Sequence, residues 1–93
     1  LQFPSVDGAV GELLLARDVA GLGIDTLSPD VPASGYPVHE QLLGAGKYIV
    51  ENVANASALP AVGSYALTLP IKVTGATEAP IRLLGLVSDK LVL

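Results

Sequence analysis

The stretch Tyr36-Pro37-Val38-His39-Glu40-Gln41-Leu42-Leu43-Gly44-Ala45-Gly46-Lys47-Tyr48-Ile49-Val50-Glu51-Asn52 decides how this chain is read. It holds the sole histidine of the protein and closes on a carboxylate after the apolar run Tyr48-Ile49-Val50. The Pro-Val step before His39 predicts a helix start. Residues 39–43 have room for one or two turns, with Gly44 or Gly46 as the C-cap. Residues 47–52 read as a strand on their aromatic and β-branched side chains. A helix that runs out and a strand that returns bring both ends of such a segment to one edge of a fold. An imidazole and a carboxylate meeting there make half of a divalent-metal site, because zinc and manganese both accept mixed imidazole and carboxylate ligands. The competing reading is a satisfied histidine and an ordinary strand-end acid. Against it, an acid closing an apolar strand is costly unless paired, hydrogen-bonded or bound to metal.

Working outward, residues 6–19 carry helical spacing in Val10, Leu13, Leu14 and Arg17, with Asp7 where an N-cap belongs. Residues 21–26 read as a short strand whose glycines allow close backbone approach and whose polar end is Asp25. The prolines, serines and glycine of residues 27–35 predict a loop, within which Asp30 reads as an ordinary turn residue. Residues 52–62 look irregular. The alternation of Tyr65, Leu67, Leu69 and Ile71 predicts a strand over 63–73, and Pro70 within it points to an edge or a bulge. A turn at 75–80 and an apolar strand at 81–87, with Arg82 directed outward or paired with an acid, complete an α/β mixture.

Ninety-three residues allow one small domain, and 51% apolar against 15% charged is greasy for that size. The excess predicts a face covered by something else, an oligomer interface or a complementary piece of protein. Net charge is −4, and the five basic residues are scattered singly. That distribution excludes a nucleic-acid surface and disfavours attraction to anionic lipid. No apolar run reaches the ~20 residues that span a bilayer. The lack of cysteine excludes disulfides and thiolate chemistry, and suits a reducing, cytoplasmic setting. No serine lies in a nucleophile-elbow context, Gly21-Leu22-Gly23 lacks the third glycine of a dinucleotide fingerprint, and there is no P-loop. The chain opens on Leu1 without methionine and without a signal-peptide pattern. This predicts a portion of a longer polypeptide whose remainder lies on the N-terminal side.

Further segments combine into a resemblance. Phe3-Pro4, the block from Val19 through Gly-Ile-Asp-Thr-Leu-Ser-Pro to Asp30, Tyr36 through His39 to Gly46, Ile49-Val50-Glu51-Asn52, Leu59-Pro60, Leu69-Pro70-Ile71-Lys72, Gly75 and Ala79-Pro80-Ile81-Arg82 follow one another over nearly the whole chain. In that order and spacing the sequence resembles the C-terminal half of the cyclase family of metal-dependent hydrolases, the family of the kynurenine formamidases and isatin hydrolases. The resemblance implies the family's swivelling β/β/α fold, residues 1–93 being the C-terminal part of one cyclase-like domain. It implies His39 and Glu51 as metal ligands, with zinc the expected ion and manganese the alternative. Asn52, beside a ligand, and Asp25 are implied as supporting residues around the site. The implied reaction is metal-assisted hydrolysis of an amide or lactam C–N bond in a small carbonyl substrate, and a homo-oligomer is the expected assembly.

The family signature His-x-Gly-Thr-His-x-Asp-x-Pro, which supplies the other ligands, is absent from these residues. The resemblance therefore implies a complementary N-terminal half or second chain, without which His39 and Glu51 do not make a centre. The alternative is a degenerate, non-catalytic cyclase-like domain with a structural or interaction role. Ser5, where the family commonly has glycine, and Ala76-Thr77-Glu78, where a glycine-containing turn is usual, are further departures.

Overall fold

In the computed structural model, which describes residues 2–88 and 90–92, Asp7 opens the first helix. Its backbone is extended, and its carboxylate accepts hydrogen bonds from the Ala9 and Val10 amides at 3.0 and 3.2 Å. These are amides that a helix leaves without internal partners. Helix α1 runs over Gly8–Ala16, shorter than the sequence pattern, because Arg17 caps it and Asp18 turns into the left-handed region at φ +50°.

The chain forms two units, residues 1–53 and 54–93. In the first, β1 (Gly21–Gly23) pairs in parallel with β2 (Tyr48–Val50), Gly21 opposite Tyr48 and Gly23 opposite Val50. Parallel neighbours need a crossover, and here it carries helix α2 (Pro37–Gly44). The first strand is shorter than predicted, yet its backbone bonding continues. Ile24 donates to the Val50 carbonyl, Val53 to that of Ile24, and Asn52 to that of Thr26.

Helix α2 starts on Pro37, whose missing N–H costs nothing in a first turn. It ends in a Schellman motif. Ala45 is the C-cap, Gly46 sits at φ +77°, its N–H reaches the Leu43 carbonyl, and the Lys47 N–H reaches that of Leu42. Of the two glycines offered by the sequence, Gly46 is therefore the one that turns the chain into β2. Val38 and Leu42, one helical turn apart, are fully buried, as is Pro29 in the loop before the helix. The helix α1 backbone comes close because Gly11 has no side chain: a Cβ there would lie 1.8 Å from Gln41 Oε1. Gln41 Nε2 meanwhile donates to the Gly8 carbonyl at 3.2 Å.

In the second unit a single 3-10 turn, Ala56–Ala58, precedes an antiparallel sheet in the order β3 (Tyr65–Pro70), β4 (Ile81–Val87), β5 (Lys90–Val92). Pro70 is the last residue of edge strand β3, where its lack of a donor is tolerated as the sequence suggested. Arg82 is exposed. Gly85 is buried against Leu59, which a Cβ would meet at 2.7 Å. Strand β5 is an addition to the sequence reading, which follows the apolar pattern only to Val87. The architecture is the α/β mixture expected. Its apolar excess is visible too: Tyr65, Leu67, Leu69, Ile71 and Val73 are all exposed. Among the described residues no helix is long and apolar enough to cross a membrane.

Candidate functional site

The loop between β1 and α2 is where the chemistry gathers, and local hydrogen bonds shape it. Thr26 Oγ1 donates to the Ser28 carbonyl at 2.9 Å, and Ser28 Oγ accepts the Asp30 N–H at 3.0 Å. These two hydroxyls fold the Thr-Leu-Ser-Pro-Asp run inward, and Asp30 ends only 2% exposed. Buried carboxylates require partners, and this one has several. Oδ1 accepts from the Val38 amide at 3.0 Å, while Oδ2 accepts from the His39 amide at 2.9 Å and lies 2.7 Å from His39 Nδ1. Burial pushes the Asp30 carboxyl pKa up. The hydrogen bonds from the His39 and Val38 amides, with the adjacent imidazole, outweigh burial and hold it below the ordinary carboxylate value.

Asp30 is thus the principal correction to the sequence reading. It is no ordinary turn residue but the anchor of the first turn of α2. A clue was available in the sequence: Tyr36, at the helix N-cap position, has no side-chain capping bond, so the free amides of this helix need an acceptor from elsewhere. What the sequence lacks is any sign that an aspartate eight positions before Val38 folds back to supply it.

His39 stands on that first turn and Glu51 directly follows β2. The crossover does bring them together, as the spacing suggested. His39 Nε2 and Glu51 Oε1 are 3.3 Å apart, with the two side chains 28% and 33% exposed. The imidazole therefore lies between two carboxylates, Asp30 on Nδ1 and Glu51 on Nε2. Tyr36 adopts a left-handed backbone, φ 55° and ψ 51°, costly for a bulky residue. Its ring meets the imidazole edge to face, with centroids 5.7 Å apart. A cleft of about 420 Å³ opens over this group, walled by Phe3, Leu27, Pro32 and Tyr36, with His39, Glu51 and Asp30 on its polar side.

The other two expected site residues do not line this cleft. Asn52 is exposed, and its left-handed turn at φ +56° carries the chain away after Glu51 while its N–H bonds the Thr26 carbonyl. Asp25 is exposed as well. Among the described residues no three His, Cys, Asp or Glu side chains converge as a complete metal-ligand set.

Comparison with known proteins points in one direction. The chain is 31% identical over 81 residues to the isatin hydrolase of Roseibium aggregatum, an alignment covering 82% of this chain and 31% of that protein. It is 33% identical over 81 residues to the kynurenine formamidase of Polaromonas naphthalenivorans, covering 86% of this chain and 36% of the relative. A solved structure described as a potential metal-dependent hydrolase with cyclase activity superposes with a TM-score of 0.73 at 27% identity, over 87% of this chain and 40% of the other. No family model matches. The chain spans about a third of the length of the curated relatives it matches. By sequence and by fold it is a homologue of the cyclase-family metal-dependent hydrolases over most of its own length.

Proposed function

We propose that this chain is the C-terminal part of a cyclase-family metal-dependent hydrolase with the family's swivelling fold, and that His39 and Glu51 are its metal ligands. The observation that carries the reading is the convergence of Nε2 and Oε1 to 3.3 Å beside a cleft, from two different elements of the fold. The donor set fits a divalent ion. Nitrogen and oxygen ligands about 2.0–2.1 Å from one tetrahedral zinc lie about 3.3 Å from each other. Zinc is the first choice and manganese, which shares these donor types, the second.

Two donors do not complete a zinc site, which takes at least three from protein. The centre therefore needs further ligands from a complementary N-terminal half or a second chain. The share of the relatives' length covered here supports that need. So does a parallel sheet of only two short strands, an arrangement ordinarily found within larger, covered sheets. The exposed apolar side chains suit burial against that half, or against another copy in a homo-oligomer. The cysteine-free composition suits a cytoplasmic setting.

A bound divalent ion supplies Lewis acidity, polarising a carbonyl and bringing the pKa of water toward neutrality. The chain's own contribution is placement. His39 and Glu51 fix the ion at the polar side of the cleft, and Phe3, Leu27 and Tyr36 form an apolar wall for a small carbonyl compound. The reaction supported is hydrolysis of an amide or lactam C–N bond, the chemistry suggested by relatives named isatin hydrolase and kynurenine formamidase.

The test is Glu51→Ala in the protein assembled with its complementary half, where metal content and amidase turnover should both fall. Unchanged metal and turnover would remove Glu51 from the site. If denaturing mass spectrometry and the parent gene contain no His-x-Gly-Thr-His-x-Asp segment, the degenerate, non-catalytic reading takes over.

A further inference from the structure

We propose that Asp30 is a positioning residue that fixes the His39 ring as the Nδ1–H tautomer and so aims the Nε2 lone pair at Glu51. The inference rests on the reading of His39 as a metal ligand, but its core is a statement about the ring alone.

An ionised carboxylate only accepts hydrogen bonds. Asp30 Oδ2 lies 2.7 Å from Nδ1, so Nδ1 must be the donor in that contact. Three features hold Asp30 in place for the task. It is 2% exposed, its own amide is fixed by Ser28 Oγ, and its two oxygens accept the Val38 and His39 amides. The same Oδ2 thus grips the His39 backbone and the His39 ring, so helix α2 cannot turn about its axis without losing both. With the proton on Nδ1, the neutral ring presents a lone pair to Glu51 Oε1 at 3.3 Å. Two acceptors then face each other, an arrangement completed by a proton or by a cation. Carboxylate partners on the far nitrogen of a ligating histidine commonly set its tautomer and strengthen it as a donor. Burial, which disfavours a bare carboxylate, is offset here by hydrogen bonds from the two amides and the ring.

The sole histidine makes the ring state directly readable. Long-range proton–nitrogen correlation spectroscopy on the protein assembled with its complementary half, with nitrogen labelling confined to residues 1–93 so that His39 is the sole labelled histidine, should show Nδ1 protonated in mildly alkaline buffer. A neutral ring with its proton on Nε2 overturns the proposal, and this reading needs no variant. In Asp30→Ala the ring keeps only Glu51 as a partner, and the proton should move to Nε2; an unchanged Nδ1–H would also overturn it. Titration with zinc of the protein assembled with its complementary half, which supplies the further ligands, separates the two ideas. Perturbation centred on Nε2, weakened roughly 10- to 100-fold by Asp30→Ala, supports both. Absence of any zinc effect on a ring shown to be Nδ1–H removes the ligand reading and leaves the positioning role of Asp30 intact.

Discussion

Two aspartates cap helices in this chain, and their surroundings predict very different costs of removal. Asp7 accepts the Ala9 and Val10 amides at an exposed helix start. Replacing it with alanine should cost about 1 kcal/mol, the usual value for an N-cap, because water reaches the released amides. Asp30 accepts the Val38 and His39 amides from a position only 2% exposed, and Val38 itself is fully buried. Orphaning the buried Val38 amide in Asp30→Ala costs about 1–3 kcal/mol, and the part-buried His39 amide adds toward the lower end of that range. The loss is partly offset because a carboxylate no longer has to be kept out of water. The balance is a destabilisation of about 3 kcal/mol, close to the 3–5 kcal/mol typical of breaking a buried charged contact by removing one partner. Urea unfolding followed by far-UV circular dichroism reads the two variants on one scale, provided their slopes agree. Hydrogen exchange localises the effect, since the Val38 and His39 amides should lose protection in Asp30→Ala and keep it in Asp7→Ala. Equal destabilisation by the two substitutions would show that Asp30 does not anchor α2 as described.

Acid should reveal the same residue. The native Asp30 carboxyl lies below its ordinary value, so between the native and unfolded pKa the unfolded chain binds more protons and stability rises with pH. Its contribution is whole above about pH 4, the unfolded carboxylate value, and disappears as pH falls further through the lowered native value. The gap in urea midpoint between the parent and Asp30→Asn should therefore shrink in acid, and a constant gap would contradict the assignment. Asp18, also lowered through its hydrogen bond and charge interaction with Lys47, is exposed and should contribute little. Among the glycines, Gly21→Ala places a Cβ 2.7 Å from the Tyr48 carbonyl and ring. It should cost about 1–3 kcal/mol by overpacking the β1–β2 pair. Gly44→Ala, helical and with nothing within 4 Å, should instead stabilise by about 0.4–1 kcal/mol. Gly46→Ala, forced to φ +77°, should destabilise by about 1–2 kcal/mol. Thermal melts of the three variants check the signs, and a destabilising Gly44→Ala would contradict the open space around that residue.

Much of the fold was legible because its signals are local. Asp7 before an apolar-periodic run, the Gly-Ala-Gly after Leu43, the period-two alternation ending at Pro70 and the apolar block 81–87 each act within a few residues. The structure keeps each: α1 and β3 are trimmed at their ends, α2 extends back to Pro37 and on to Gly44, and β4 spans Ile81–Val87 as expected. The meeting of His39 and Glu51 was legible for the same reason, since a helix of fixed rise and a tight Schellman turn determine where the returning strand goes. Asp30 was illegible because its role depends on a loop folding back onto a helix, held by Ser28 and Thr26 hydroxyls that look like ordinary turn chemistry. Strand β5 is illegible because it is only three residues long and its apolar residues, Leu91 and Val92, are cut off from the 81–87 block by Ser88-Asp89-Lys90. Asp25 and Asn52 draw attention through their place beside motif residues; both are exposed, and neither lines the cleft that holds His39 and Glu51.

The two proposed ligands are held with unequal firmness, and that asymmetry bears on how a centre would assemble. His39 is fixed through its amide, its ring nitrogen and an edge-on tyrosine, all within the first turn of a helix whose other face is the apolar core. Glu51 is fixed by its backbone, through the ladder that joins residues 24–26 to 50–53, while its carboxylate is a third exposed and, among the described residues, has the imidazole as its polar partner. A site whose nitrogen donor is already oriented spends little ordering entropy on it when an ion arrives. The carboxylate, a third exposed, has room to adjust to the geometry that further ligands would impose. This division suits a centre completed by a second piece of protein: the histidine supplies a fixed reference, and the glutamate accommodates small differences in how the pieces meet.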